Sequence, residues 1–199
     1  MAAYGEGAAL NRRLLPVMIP LTGGLQQIQG LGWSDVEIFD AAGLRTYTTS
    51  PHDLLRLVDN QRVQLFPRGI AELERETVVV RRHAKDTQLD HHLLITYPFA
   101  GFFYVSRANP ALATAIEVGF KRAIADGSYQ LLLEEVIFTP WLRSRLNLSQ
   151  RRVIHLRNPD AAQALAGVDP AHWIVPWRSL EASRLRQGSQ LCAHPRLRK

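Results

Sequence analysis

With one cysteine in 199 residues, Cys192, the chain can close no internal disulfide and build no cysteine-based zinc site. No apolar run reaches the roughly 18 residues of a membrane span, so the chain is not expected to be membrane-spanning. The first twenty residues, MAAYGEGAALNRRLLPVMIP, hold no basic stretch followed by a long apolar one. No secretory signal is read there, and the chain as written is expected to be cytoplasmic. There is no Gly-x-Ser-x-Gly elbow, and Cys192 falls in the C-terminal tail, so nucleophilic catalysis has no anchor. GLGWSD at 30–35 lacks the third glycine and the long preceding strand of a dinucleotide fingerprint, and no cofactor is expected. His83 stands alone, while His91 and His92 are adjacent and point to opposite faces of a strand, so no metal site is expected.

What the chain does have is positive charge, +6 with a pI near 10.0, and its placement matters. Residues 178–199 carry Arg178, Arg184, Arg186, Arg196, Arg198 and Lys199 against Glu181 alone, a net +5, which leaves +1 for the other 177 residues. The body is nearly neutral, and the tail has none of the interleaved aromatics of a stacking platform. No nucleic acid partner is expected. A hydrophobic share of 46% against 21% charged residues places the body among globular chains.

The pattern alternates between strand and helix. Residues 1–12 read as a loose lead-in, followed by LLPVMIP and the glycine-rich LTGGLQQIQGLG. Ser34 with Glu37 forms a capping box for a helix over 35–42 stopped by Gly43. LRTYTT (44–49) reads as a strand, Ser50-Pro51 opens a second helix, and RVQLF (62–66) is a strand ended by Pro67-Arg68-Gly69. Residues 70–76 read as helix, then TVVVRR (77–82), HHLLITY (91–97) and GFFYVS (101–106) as strands. Asn109-Pro110 opens a helix whose apolar residues recur at three- and four-residue spacing up to about Ala125. Ser128 caps another over 129–138, RRVIHL (151–156) gives a last strand, and loops with a basic tail are expected beyond 158. This alternation predicts an α/β fold.

Three stretches resemble the family 3 extracellular solute-binding proteins, of the type II periplasmic binding fold: GLGWSDVEIFDAAGL (30–44), RVQLFPRGIAELERE (62–76) and GFFYVSRANPALATAIEVGFKRAIADGSYQLLLEEV (101–136). The likeness runs over about residues 12–157. It implies a two-lobed, non-catalytic protein that is periplasmic, closes on a small-molecule solute, and feeds an ABC transporter permease. It further implies that the first lobe is not in this sequence. Residues 1–27 would then be the lead-in and the remnant of the first hinge, and 28–100 the second-lobe α/β domain. Residues 101–157 would be the hinge strand and the returning C-terminal helices of an incomplete first lobe, and 158–199 a loop and basic tail, disordered. On this resemblance a strand at 101–105 must lead into the helix near 110–125.

The resemblance also names candidate ligand-binding residues. Arg13, four residues ahead of Val17, matches the arginine that pairs with a ligand carboxylate, a task suited to a planar fork of donors. The turn Gly30–Ser34 would offer backbone N–H groups at a helix start, with Trp33 set to stack on a ligand. Arg68, at the Pro-Arg-Gly turn, would point into the cleft as an anion contact. Leu31 replaces the family's usual hydroxyl, and the second turn carries Gln64 and Arg68 in place of an acid. The resemblance implies a small polar or anionic, amino acid-like solute, while these departures remove the acid that would hold an α-ammonium group. Without the first lobe, Phe120, Leu131 and Leu132 are expected to lie exposed. The alternative reading is a small cytoplasmic α/β enzyme with an unrecognised site.

Overall fold

The protein was described from a computed structural model covering residues 6–11 (backbone only), 26–161, 165–169, 172–173 and 185–193. Its strands are β1 (Glu6–Asn11), β2 (Gln27–Gly30), β3 (Thr46–Thr49), β4 (Leu65–Gly69), β5 (Thr87–Thr96) and β6 (Arg152–His155). Its helices are α1 (Asp35–Ala41), α2 (Leu54–Asp59), α3 (Leu73–His83), α4 (Pro110–Ala125), α5 (Ser128–Val136), α6 (Pro140–Leu146) and α7 (Gly188–Cys192). The strands form one sheet in the order β3-β2-β4-β1-β5-β6. β1 runs antiparallel to both neighbours, and every other pairing is parallel. The architecture is the α/β one that the alternation predicted.

Consecutive residues of β5 serve both faces of the sheet. Leu94 packs with Leu73, Tyr129, Leu133, Leu142 and Leu146, while Ile95 packs with Ile38, Phe39 and Tyr97. That is why HHLLITY is a continuous apolar run rather than an alternating one. Two helices start where the sequence punctuates them. The Asn109 side chain accepts a hydrogen bond from Leu112 N at 3.1 Å, with Pro110 at the first helical position. Thr139 does the same for Leu142 N at 3.2 Å ahead of Pro140. This second cap opens α6, an element not among those expected from the sequence pattern.

A bulge organises the centre of the sheet. Gly7 pairs with Leu94 and Ala9 with Leu89, so β5 advances five residues where β1 advances two. The backbone groups freed in between are captured by two side chains. Asp90 accepts from His92 N and Leu93 N at 3.0 and 2.6 Å. Arg151, wholly buried, donates to Asp90 O and Leu93 O, each at 2.7 Å, and to Leu146 O at 2.5 Å. Its guanidinium also lies 3.6 Å from the Asp90 carboxylate. Burial lowers the Arg151 pKa, and Asp90 opposes that shift.

Several expectations are corrected. The lead-in is loose only by composition: Glu6–Asn11 forms β1, between β4 and β5. Pro67-Arg68-Gly69 does not end a strand but lies inside β4, where Ala8 and Gly7 pair with Pro67 and Arg68. TVVVRR is the second half of α3, not a strand. The Thr77 hydroxyl bonds back to Leu73 O, Val78 and Val79 face water, and Arg81, Arg82 and His83 lie at the negative end of the helix. GFFYVS forms no strand. No described residue ladders with it, and Tyr104 stays 94% exposed. A strand without a partner leaves its backbone polar groups to water.

The tail is not all loose either. Arg186 O accepts from Val153 N at 2.8 Å, Gly188 N donates to Arg151 O at 2.7 Å, and Leu185 and Leu191 join the main core. This segment covers the outer edge of β6. Gly188 is obligatory there, because a Cβ would lie 1.6 Å from Leu148 O. Cys192 is half-buried in α7, and burial pushes its thiol pKa up, against the pull of Arg143. Leu131 and Leu132 are exposed, as expected (66% and 53%), but Phe120 is not: its ring rests 4.8 Å from Tyr129.

Breaking the buried pair is the severe change. Arg151→Met should cost about 3–5 kcal/mol, because Asp90 and three carbonyls lose their partner out of reach of water; the urea midpoint measures it, and a loss under about 1 kcal/mol would refute the account. Gly188→Ala should cost roughly 1–3 kcal/mol by overpacking. Asp59 supplies a pH signature. Burial raises its pKa, but hydrogen bonds from Asp86, Lys85 and Thr87 outweigh that, and the net shift is downward. Its stabilisation is present above the unfolded value of about 3.9 and fades as pH falls through the lower folded value. Melting temperatures taken from pH 5 to pH 3 should therefore fall less steeply in Asp59→Asn than in the parent.

Candidate functional site

All the mutually parallel strands end on the same side of the sheet, at Gly30, Thr49, Gly69, Thr96 and His155. From β2 the chain passes through α1 to β3, toward one edge; from β4 it passes through α3 to β5, toward the other. The reversal falls between β2 and β4. In an open α/β sheet the crevice at such a reversal is where ligands bind. Here the two strands share one paired position, Gln27 with Leu65, and then part. The Gln29 side chain bridges the gap, donating from its amide nitrogen to Pro67 O at 3.1 Å. Its carbonyl Oε1 has no hydrogen-bond partner although the residue is only 1% exposed.

The turn after β2 is built by close approach. Trp33 N donates to Gly30 O at 3.1 Å, and the indole folds back over Gly30 so closely that a Cβ there would meet its Cε2 at 2.2 Å. Gly32 takes φ +79° to make the turn. Trp33 stacks on Phe66 with centroids 6.5 Å apart. The Arg68 guanidinium sits 4.7 Å from the Trp33 ring and 5.0 Å from that of Phe66.

Arg68 is not a solvated turn residue. Its Nε donates to Glu76 Oε2 at 2.8 Å and its Nη2 to Glu76 Oε1 at 2.6 Å, a bidentate pair, and Nη2 is also 2.9 Å from Glu72 Oε2. Glu72 in turn accepts from Gly69 N at 3.3 Å. These carboxylates are the part of the site that reading the Pro-Arg-Gly turn alone missed. Their signal was present: Glu72 and Glu76 are four apart, so one helix face carries both toward the strand before it.

Gly30, Trp33 and Arg68 are thus brought together. Ser34 begins α1 beside them, exposed and with helical backbone angles, but its side chain makes no cap and the expected capping box with Glu37 does not form. The first turn of α1 carries its own anions, Asp35 and Glu37, and Asp35 accepts from the Tyr97 hydroxyl at 2.5 Å. A ligand anion would meet those two charges at the helix start. Arg13 lies outside the described residues; β1 leaves the sheet at Asn11 beside Thr87, at the far end from Gly30 and Arg68. Gln64 also belongs to the other end of the gap, where its Oε1 accepts from Gln26 N at 2.9 Å. His83, His91 and His92 are exposed, and among the described residues no three potential ligands converge on a metal position. No helix among them is long and apolar enough to cross a membrane.

No family model matches the chain, and none of the curated proteins matches it. Solved structures do show partial likeness. One is YckB of Bacillus subtilis, 14% identical with a TM-score of 0.44 over 77% of this chain and 62% of that one. Another is an ancestral arginine-binding protein bound to arginine, 17% identical with a TM-score of 0.44 over 67% of this chain and 60% of that one. A third is a mutant ArgBP from T. maritima, 14% identical with a TM-score of 0.40 over 68% and 58%. The chain spans about 60% of the length of the solved structures it resembles.

Proposed function

We propose that this chain is part of a solute-binding module, one lobe of a two-lobed cleft that takes a small polar or anionic solute of amino-acid size. The observation that carries the reading is the cluster of Gly30, Trp33 and Arg68 at the sheet reversal, where strands part and an aromatic ring and a guanidinium meet. The returning strand expected at 101–105 is not formed, so the reading rests on this cluster and not on that segment. Within it, Arg68 contacts the solute's anionic group, Trp33 supplies a flat apolar wall, and the Gly30–Ser34 turn leaves the main chain open at Gly32, Gly30 being covered by the indole. Arg13, which the resemblance alone offers as a carboxylate contact, forms no part of this cluster, because β1 leaves the sheet at its far end. Delivery to an ABC-type permease, or sensing, outside the cytoplasm completes the proposal.

A panel of amino acids and short carboxylates, screened by thermal shift and then by isothermal titration, tests it. At least one should bind saturably. Arg68→Met should weaken that binding roughly 10- to 100-fold, the worth of hydrogen bonds to a charged group, with circular dichroism unchanged. A wild-type protein that binds no member, or binding indifferent to both Arg68→Met and Trp33→Ala, sinks the reading.

A further inference from the structure

We propose that Glu76 is a built-in occupant of the Arg68 fork, and that a carboxylate-bearing solute binds by taking its place. The inference rests on the site reading given above and adds what that site selects and how it is held closed when empty. The pair has the geometry of a guanidinium holding a free carboxylate, two parallel bonds of 2.8 and 2.6 Å on Nε and Nη2. The two partners are unequal in mobility. The Arg68 side chain is 12% exposed and clamped between the Trp33 and Phe66 rings and Glu72. That of Glu76 is 35% exposed, on a surface helix.

An exchange follows from that inequality. A released Glu76, already about a third exposed, swings into water and regains its hydration, which offsets much of the lost pairing. Arg68 left alone would keep a poorly solvated charge, so the fork passes from one carboxylate to another rather than standing empty. Glu72, tied to Gly69 N, stays and neutralises the guanidinium only in part. Because Glu76 is tethered, its effective concentration at the fork is in the millimolar range or above, and a lone carboxylate competes weakly. The site therefore favours solutes with a carboxylate and a second point of contact, and the aromatic wall of Trp33 is beside the fork to provide one.

Glutarate is the probe, titrated calorimetrically and by the Trp33 indole N–H resonance, which reports events on Arg68 directly. Glu76→Gln keeps the shape and removes the competing charge. It should bind glutarate roughly three- to tenfold more tightly than wild type, the range expected for a partly exposed bidentate pair, and shift the Trp33 signal. Glu76→Gln combined with Arg68→Met should lose both effects. A merely structural Glu76 would lower the melting temperature without tightening glutarate. Equal or weaker binding by Glu76→Gln overturns the proposal, and so does an absence of glutarate binding in both proteins. If wild type still binds a member of the solute panel through Arg68, the site reading survives that failure. A wild-type preference for agmatine over glutarate that disappears in Glu76→Gln would also overturn it, since the carboxylate would then serve a cation.

Discussion

The guanidinium of Arg151, wholly out of contact with water, joins two stretches of the chain that are about sixty residues apart in sequence. It bonds to the end of α6 at Leu146 and to both ends of the β5 bulge at Asp90 and Leu93. Without it, the widened stretch of β5 would bury two carbonyls with nothing to satisfy them. Asp90 completes the arrangement by taking the freed N–H groups of His92 and Leu93. The backbone of Arg151 then receives Gly188, and through it the segment that covers β6. A buried ion pair adds little net stability over a well-packed apolar substitute, but it permits one arrangement only. Here it fixes the register of β5 against β1 and β6, and with it the plane in which the parallel strands end.

The cluster at those strand ends depends on a second constraint, the absence of a side chain at Gly30. The indole of Trp33 occupies the space a Cβ would need. That contact brings the ring over Arg68, and the ring and the two glutamates define one orientation of the guanidinium. The candidate site is therefore a chain of packing contacts from β2 through the turn to β4 and α3. Its charge state differs from the one expected at the turn itself. Glu72 and Glu76 surround the arginine, and Asp35 and Glu37 occupy the helix start that was expected to await an anion.

Elements with local punctuation were legible. Asn109-Pro110 and Asp126-Gly127 bound α4, and RRVIHL gives β6, because caps and apolar runs act within a few residues of themselves. Gly30, Trp33 and Arg68 stand out only through the resemblance of stretches 30–44 and 62–76, and that they meet is a tertiary fact. The misreadings share a cause. EGAALN carries no strand propensity, yet forms β1 because its backbone ladders on both sides, with β4 and with β5. TVVVRR has strong strand propensity, yet continues α3, and GFFYVS has it and finds no ladder partner among the described residues. β propensity expresses fit to neighbouring strands, and those neighbours are not local.

The sequence by itself determined the class of the fold, the positions of most helices and the concentration of charge beyond residue 178, which follow from composition and short-range spacing; the candidate residues at the two turns come from the family resemblance. Only the tertiary structure decided that β1 lies reversed in the middle of the sheet, that Leu185–Cys192 seals the β6 edge, and that Arg68 is already held by Glu76. Each of these joins segments through a backbone ladder, a buried core or a charge pair. Such contacts are chosen by the free energy of burying groups together, a quantity that no single stretch of sequence contains.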